Sequence, residues 1–381
     1  MRTSIDSRFR GNDKRLLLLP PVFGKEGINL GEARRYGKMS DEQTEVIGVD
    51  LGAGETKLAR VGTDGKLRSG IQIVKTVEDP VEFMTDLKFV LGELADEKVK
   101  AIGLGIPSWD GQNEVIQHSP NMPNYEGLAV SKELQEYEQF KALKIIADND
   151  ANVAADGERR FGNWPEGTLI VYTLGSGIGG GVILHLKEMN RYFKWQGDTC
   201  KGAELGHVTI PCPVGRETRF CGCGHANCLE AHASATAVRD EAARMVLSGL
   251  SRGEESLILE KVREDEQVRP RLLSGESQEL VKYIEPLHVN LAARDGDEVA
   301  LELEDQTAQA LAYGIRNVAQ IFDPAIVVLA GAMRNWKGMV EKAERIYRTM
   351  LGVVPTVPVG ISQLDNAGIV GSAAMAFEAL S

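Results

Sequence analysis

Leu169–Leu184 reads LIVYTLGSGIGGGVIL. An apolar run, Leu169 to Thr173, leads into the glycine turn Gly175-Ser176-Gly177. A second apolar run, Gly180 to Leu184, leaves it. Short apolar runs bounded by turn residues fit buried strands. So many glycines only weaken a plain strand pair. A turn whose backbone closely approaches a ligand accounts for them better. The same pattern stands earlier in the chain. Val46-Ile47-Gly48-Val49-Asp50 is a strand, Gly52-Ala53-Gly54 a turn, and Thr56-Lys57 opens a second strand, Leu58 to Val61. The two copies lie about 120 residues apart and point to a duplicated α/β fold with nucleotide held between its halves. Turn N–H groups would donate to phosphates, with Asp50 near a metal. For the first copy, a plain hairpin is the competing reading.

The chain has 381 residues, enough for two lobes with sizeable cores. A net charge of −12 argues against nucleic acid as the main partner, because phosphate-backbone binding needs a basic face. A small phosphorylated ligand needs only a local site. Residues 1–44 begin with Arg2, Arg8, Arg10, Lys14 and Arg15, then Leu16 to Leu19 and Pro20-Pro21. The apolar run is too short for a signal peptide or a membrane span, and prolines break it. A disordered extension is expected there, with Met39 a candidate start. A native N-terminus before Met39 would remove that idea.

Four of the five cysteines fall between Cys212 and Cys228. His207, Cys221, Cys223 and Cys228 give H-x13-C-x-C-x4-C, the donor set of a closed, four-coordinate structural Zn²⁺ site. Scattered core thiols would not cluster so. A disulfide reading is weaker without a secretory leader, and the thiols fit a reducing cytoplasm. Cys212 remains a rival ligand, and Cys200 has no assigned role.

Asp79-Pro80 signals a helix start, and Met84, Leu87, Leu91 and Leu94 then share one face. Val99 to Ile106 is a strand that ends at Pro107-Ser108. Lys144-Ile145-Ile146-Ala147 is another, followed by Asp148-Asn149-Asp150-Ala151-Asn152 and a helix to Phe161. Ligand crevices open at the carboxyl ends of such strands. A carboxylate there can take a proton from a hydroxyl. A helix cap is the bland alternative for Asp148, Asn149 or Asp150. Asn121 has a turn residue as its alternative. In the hairpin 185–200, Tyr192, Phe193 and Trp195 could serve subunit contact or pocket rim, with plain packing the safer expectation. Ser251 to Glu279 reads as a charged, solvated face. Ala308 to Phe322 is a core helix, Ala325 to Leu329 a buried strand, and Gly368 to Leu380 a closing helix.

Glu204-Leu205-Gly206-His207 followed by Cys221-Gly222-Cys223-Gly224-x-x-x-Cys228-Leu229-Glu230 resembles the signature of the ROK family of sugar kinases and sugar-responsive repressors. Thr173–Gly181 resembles the family's second phosphate loop, Asp50–Thr56 its first, Asn121-Met122-Pro123 its Asn-Leu-Pro, and Asn149–Asn152 its N-D-A-N. This chain departs in several places. Asn227 and Ser108 stand where the family has glycine. The first loop has two extra residues and Glu55. Ala330 and Ala332 flank Gly331. The loop Pro211–Phe220 and the hairpin 185–200 are longer.

The resemblance covers roughly residues 45 to 381. It implies an actin-like (ribonuclease H-like) duplicated two-lobed sugar kinase with an inserted zinc loop. The lobes would be 45–163 and 164–365, with 366–381 packing back on the first. The expected activity is ATP-dependent transfer of phosphate to a hexose 6-hydroxyl, glucose first, with Asp150 as general base. Asn121, Asn149, Glu204, His207 and Glu230 would bind the sugar. Asp50, Gly52, Gly54, Thr56, Lys57, Gly175, Ser176, Gly177 and Gly331 would hold the nucleotide, with Mg²⁺ beside Asp50. Expected partners are ATP, a hexose and a second copy of the chain, with no nucleic acid and no membrane. Rival readings are kinases of N-acetylglucosamine, N-acetylmannosamine, mannose or fructose, a polyphosphate donor, a sugar-sensing repressor and a non-catalytic sugar-binding protein. The repressor reading lacks a helical N-terminal DNA-binding segment, and Asp150 is present.

Overall fold

The computed structural model describes residues 44–117, 119, 121–273, 276–350 and 352–381. The expected disordered extension and the start at Met39 lie outside the described residues, except Thr44, which is buried just ahead of the first strand. The first half runs β1 (Glu45–Leu51), β2 (Glu55–Gly62), β3 (Gln72–Lys75), α1 (Pro80–Leu94), β4 (Val99–Ile106), the short pair β5 (Trp109–Asp110) and β6 (Val115–Ile116), α2 (Val130–Glu136), β7 (Lys144–Asn149) and α3 (Asp150–Phe161). The second runs β8 (Leu169–Leu174), β9 (Ile178–Leu186), β10 (Arg191–Lys194), α4 (Leu229–Ala233), α5 (Ala235–Ser251), α6 (Leu257–Glu264), α7 (Ser277–Leu280), α8 (Pro286–Arg294), α9 (Glu298–Phe322), β11 (Ile326–Ala330), α10 (Lys337–Thr349), β12 (Val359–Ile361) and α11 (Ala367–Ala379).

The two sheets have orders β3-β2-β1-β4-β7 and β10-β9-β8-β11-β12. In each, three antiparallel strands continue into two parallel ones. The duplication expected from the two glycine turns is therefore present strand for strand.

β1 is apolar on both faces because both are covered, as in parallel sheets with helices on each side. Ile47 and Val49 join Leu87 and Leu91 of α1 in one core. Val46 joins Ile369, Ala373 and Phe377 of α11 in another. Asp79 caps α1, its side chain accepting from the Val81 N–H, with Pro80 in the first turn. α11 lies so close to the sheet that a Cβ at Gly103 would stand 1.9 Å from the Ser372 carbonyl oxygen.

α3 packs on α11, on β4 and β7 of the first sheet and on β8 and β9 of the second, so it touches both sheets. Ala155 of α3 fills the space where a side chain at Gly181 would stand, 2.5 Å from a Cβ built there. The glycine run thus divides. Gly175 to Gly177 form the turn, Gly179 and Gly181 admit α3, and Gly180 admits Ala203 and Leu205.

One expectation needs correction. The charged stretch Ser251–Glu279 carries α6, whose Ile258, Leu259 and Val262 are buried, so it is partly core. The core helix extends N-terminal of the Ala308–Phe322 pattern to Glu298. Its first turns hide their period because Glu304, Gln306 and Thr307 are buried polar residues. Glu304 accepts from Trp336 Nε1 at 2.6 Å, and Gln306 Oε1 accepts from Arg216 Nε at 2.8 Å. Among the described residues, no helix is long and apolar enough to cross a membrane.

Candidate active site

Asn149 caps α3, its side-chain oxygen accepting from the Ala151 N–H at 3.0 Å. That choice leaves Asp150 free to be the first helical residue and to face outward. Asp148 does not cap. It is buried and accepts from Asn152 Nδ2 at 3.1 Å and Gln196 Nε2 at 3.0 Å. Asp150 is open to solvent yet surrounded by protein, and this desolvation raises its pKa.

Asp50 is half-buried near the end of β1, ahead of buried Leu51, and pairs in register with Lys57. A Cβ at Gly368 would come within 2.2 Å of its carboxyl carbon, so the first turn of α11 closes over it. Burial, then the charge of Asp150, push the Asp50 carboxyl up to about 6, against the pull of Lys57. Glu204 is raised as well, by burial first. His207 opposes that shift, and Asp150 and Glu230 add to it. Asp50, Asp150, Glu204 and Glu230 thus form one electrostatic group drawn from both halves.

His207 joins this group to the cysteines. Its Nε2 lies 3.9 Å from Glu204, and its Nδ1 lies 3.4 Å from the Cys221 sulfur. The donor atoms of His207, Cys221, Cys223 and Cys228 all lie within 4.8 Å of one another. Sulfurs on one tetrahedral Zn²⁺ stand about 3.8 Å apart. Cys223 and Cys228 are 3.5 Å apart, so the donor set fits such an ion. The His225 backbone N–H is the leading cause that lowers the Cys223 thiol to about 6. Cys212 stays outside this group, its sulfur 3.3 Å from the Arg216 and Glu217 carbonyl oxygens.

Asn227 and Ser108, the two departures at glycine positions, both have φ near the left-handed region, at +56° each. The backbone there keeps the glycine conformation without the glycine. Asn227 tolerates it best, since its side chain bonds locally. Its Oδ1 accepts from the Arg219 N–H at 3.2 Å and lies 3.0 Å from His232 Nε2.

The turns differ in how they are held. In the first, Gly54 and Glu55 are exposed. Thr56 is fully buried, its hydroxyl 3.2 Å from that of Thr76, which in turn donates to the Gly52 carbonyl at 2.6 Å. Thr56 therefore braces the turn from within and presents no hydroxyl to a ligand. In the second, the Gly175 N–H donates to the Gly177 carbonyl, and Ser176 and Gly177 are exposed. The Ile178 N–H donates to Glu230 Oε2 at 2.8 Å. Gly331, at φ +82°, lies beside it. A Cβ there would meet the Leu174 carbonyl oxygen at 2.4 Å, so glycine is required. Asn121 is exposed in the turn before buried Met122, and among the described residues no hydrogen bond ties it to the acids. Sequence reasoning missed Lys194 and Asp156, which pair 2.7 Å apart behind Asp150.

A sequence model of the ROK family matches residues 46–379. Over 341 residues the chain is 31% identical to a glucokinase of Thermotoga maritima, covering 87% of this chain and 96% of that protein. It resembles the crystal structure of a ROK family glucokinase from Streptomyces griseus in complex with glucose and AMPPNP. That match has a TM-score of 0.68 and 26% identity, over 88% of this chain and 99% of the other. A ROK hexokinase from Thermus thermophilus aligns with a TM-score of 0.66 and 26% identity over 88% and 99% of the two chains. With the shared architecture, the Cys₃His cluster and the family match over nearly all described residues, the chain belongs to the ROK family.

Proposed function

We propose that this chain is an ATP-dependent hexokinase that transfers the γ-phosphoryl group to the 6-hydroxyl of a hexose, with glucose as its main substrate. One observation carries the reading. A solvent-open carboxylate with a raised pKa, Asp150, stands at a helix start in electrostatic contact with Asp50 and Glu204. A carboxylate at a helix start beside the sugar-facing acids is placed to accept a proton from a hydroxyl. The relatives named glucokinase, one of them bound to glucose and AMPPNP, supply the substrate class.

Phosphoryl transfer is mostly positioning and charge stabilisation. Backbone N–H groups at Gly52, Gly54, Gly175, Ser176 and Gly177 would hold the phosphates, with Thr56 bracing the first turn and Gly331 beside the adenosine. Lys57 would balance charge at the same strand end. Mg²⁺, carried with the nucleotide, would neutralise phosphate charge. The mutually repelling Asp50 and Asp150 fit a site that receives a cation. Asn121, Asn149, Glu204, His207 and Glu230 would orient the sugar, and Asp150 would accept the proton of its attacking hydroxyl. Zn²⁺ on His207, Cys221, Cys223 and Cys228 would be structural, since four protein donors leave no open position. His207 Nε2 would stay available to the sugar or to Glu204.

The lobes 45–163 and 164–365, with 366–381 returned to the first, belong to the same reading. So does a homodimer with no nucleic-acid or membrane partner. Cysteines kept unbridged, three of them as zinc ligands, would fit a reducing, cytoplasmic setting.

The test is ADP release by the purified full chain with Mg-ATP, run in parallel on glucose, N-acetylglucosamine, mannose and fructose. Turnover is expected to be fastest on glucose. Preference for another sugar would replace the substrate and keep the mechanism. Sugar binding without turnover on any would overturn the kinase assignment.

A further inference from the structure

The geometry points to Lys194 as a positioning residue for Asp150. This inference rests on the reading of Asp150 as the proton acceptor. Lys194 ends β10, the edge strand of the second sheet, and its side chain is only 20% exposed. Its ammonium pairs with Asp148 Oδ2 at 2.5 Å and with Asp156 Oδ2 at 2.7 Å. Both carboxylates are nearly inaccessible, at 7% and 2%. Asp148 lies two residues before Asp150, in the last part of β7. Asp156 lies six residues after it, along α3.

One cation from the second sheet thus holds both sides of the strand-to-helix junction that carries Asp150. Gln196, just beyond β10, adds donations at 3.0 Å to each oxygen of Asp148. Asp150 has little to fix it by itself. Among the described residues, the hydrogen bond that its carboxylate receives comes from the Ala151 N–H, its own neighbour, at 2.9 Å. Its placement is inherited from Asp148 and α3. Without Lys194, two buried carboxylates would lose their shared ion-pair partner, leaving only the weaker pull of Arg159 on Asp156, and a buried charge so poorly compensated is not tolerated in place. The junction would move or a proton would be taken up. Either change shifts Asp150 relative to the attacking hydroxyl. Of the groups proposed to orient glucose, Asn149 lies at this junction while Asn121, Glu204, His207 and Glu230 do not, so glucose binding would change less than turnover.

The experiment uses the full chain with Lys194→Met, Lys194→Arg and Asp150→Asn, measuring kcat, glucose KM, zinc content and melting temperature. Lys194→Met is expected to lower kcat about 100-fold, the loss that small misplacements of catalytic groups produce. Its glucose KM should stay within about threefold, because a transition-state defect leaves ground-state binding in place. Lys194→Arg keeps the charge and can reach both carboxylates, so it should recover most of the loss. If Lys194→Met melts too low to assay, Asp156→Asn is read the same way. It should give a smaller fall in kcat at unchanged KM. Undiminished kcat in both variants overturns the assignment. A loss in which kcat, KM and zinc content decline together, with no recovery by arginine, also overturns it and makes Lys194 a purely structural residue. Asp150→Asn separates the two ideas. If it stays active, the proton acceptor is wrong. If it is inactive while Lys194→Met is unimpaired, only the role of Lys194 fails.

Discussion

The two glycine turns occupy the same place in two sheets of identical strand order, but they are held by different chemistry. The first is braced by neutral hydroxyls, Thr56 against Thr76, and sits next to the acid Asp50. The second is pinned by a carboxylate, Glu230, whose other oxygen lies 3.5 Å from the Cys221 sulfur. The first turn is therefore next to Asp50 and, through it, to Asp150. The second is coupled to the cysteine cluster and, through His207, to Glu204. Duplication supplied two similar cradles. On the proposed reading, the side chains behind them would divide the work, with proton and metal handling at Asp50 and Asp150 and most sugar-orienting groups beside the cysteine cluster.

That division can be broken from each side. The largest effect belongs to Asp150→Asn. Loss of a general base costs about 10² to 10⁴ in rate, so kcat should fall by at least a hundredfold while glucose affinity changes little. Full turnover in this variant would remove the base assignment. Cys221→Ser attacks the other side. It should lower zinc content below one per chain and raise the glucose KM by about tenfold, the cost typical of disturbed metal shells. Zinc retained in full, by metal analysis, would contradict the ligand set.

Asp50→Asn sharpens the comparison through pH. The folded chain holds the Asp50 proton up to about 6, whereas the ordinary carboxyl value is 3.8. Between those values the folded state binds more proton than the unfolded state. Stability therefore falls as pH rises through that window. In the absence of ligands, the variant should flatten this part of a melting-temperature profile. An unchanged slope would show that Asp50 ionises normally. The smallest effect is expected for Glu55→Gln at the first turn. An exposed charge is screened, so the ATP KM should fall by no more than about fivefold. A far larger gain would mean that Glu55 obstructs the phosphates.

Local signals carried much of this structure. The apolar runs of β1, β4 and β8, the proline-capped start of α1 and the spacing of His207 with three cysteines all depend on near neighbours in sequence. The duplicated sheets followed from the repeated turn. What local signals could not carry depends on distant partners. Lys194 meets Asp148 and Asp156 from 46 and 38 residues away, and nothing near Lys194 marks it. Thr56 looked available to phosphate because its partner Thr76 comes from the neighbouring strand region. The front of α9 was obscured because its buried polar residues are satisfied by distant partners, Gln306 by Arg216 of a loop and Glu304 by Trp336 at the start of α10. Ser108 and Asn227 departed from the glycine pattern in type but kept its backbone, which only φ reveals.

The most direct measurement is ³¹P NMR of the full chain with Mg-ATP and glucose. The account predicts that the γ-phosphate signal declines as ADP and a glucose 6-phosphate ester grow in equal amounts. Orthophosphate in place of the ester, or no change in ATP with glucose bound, would contradict it.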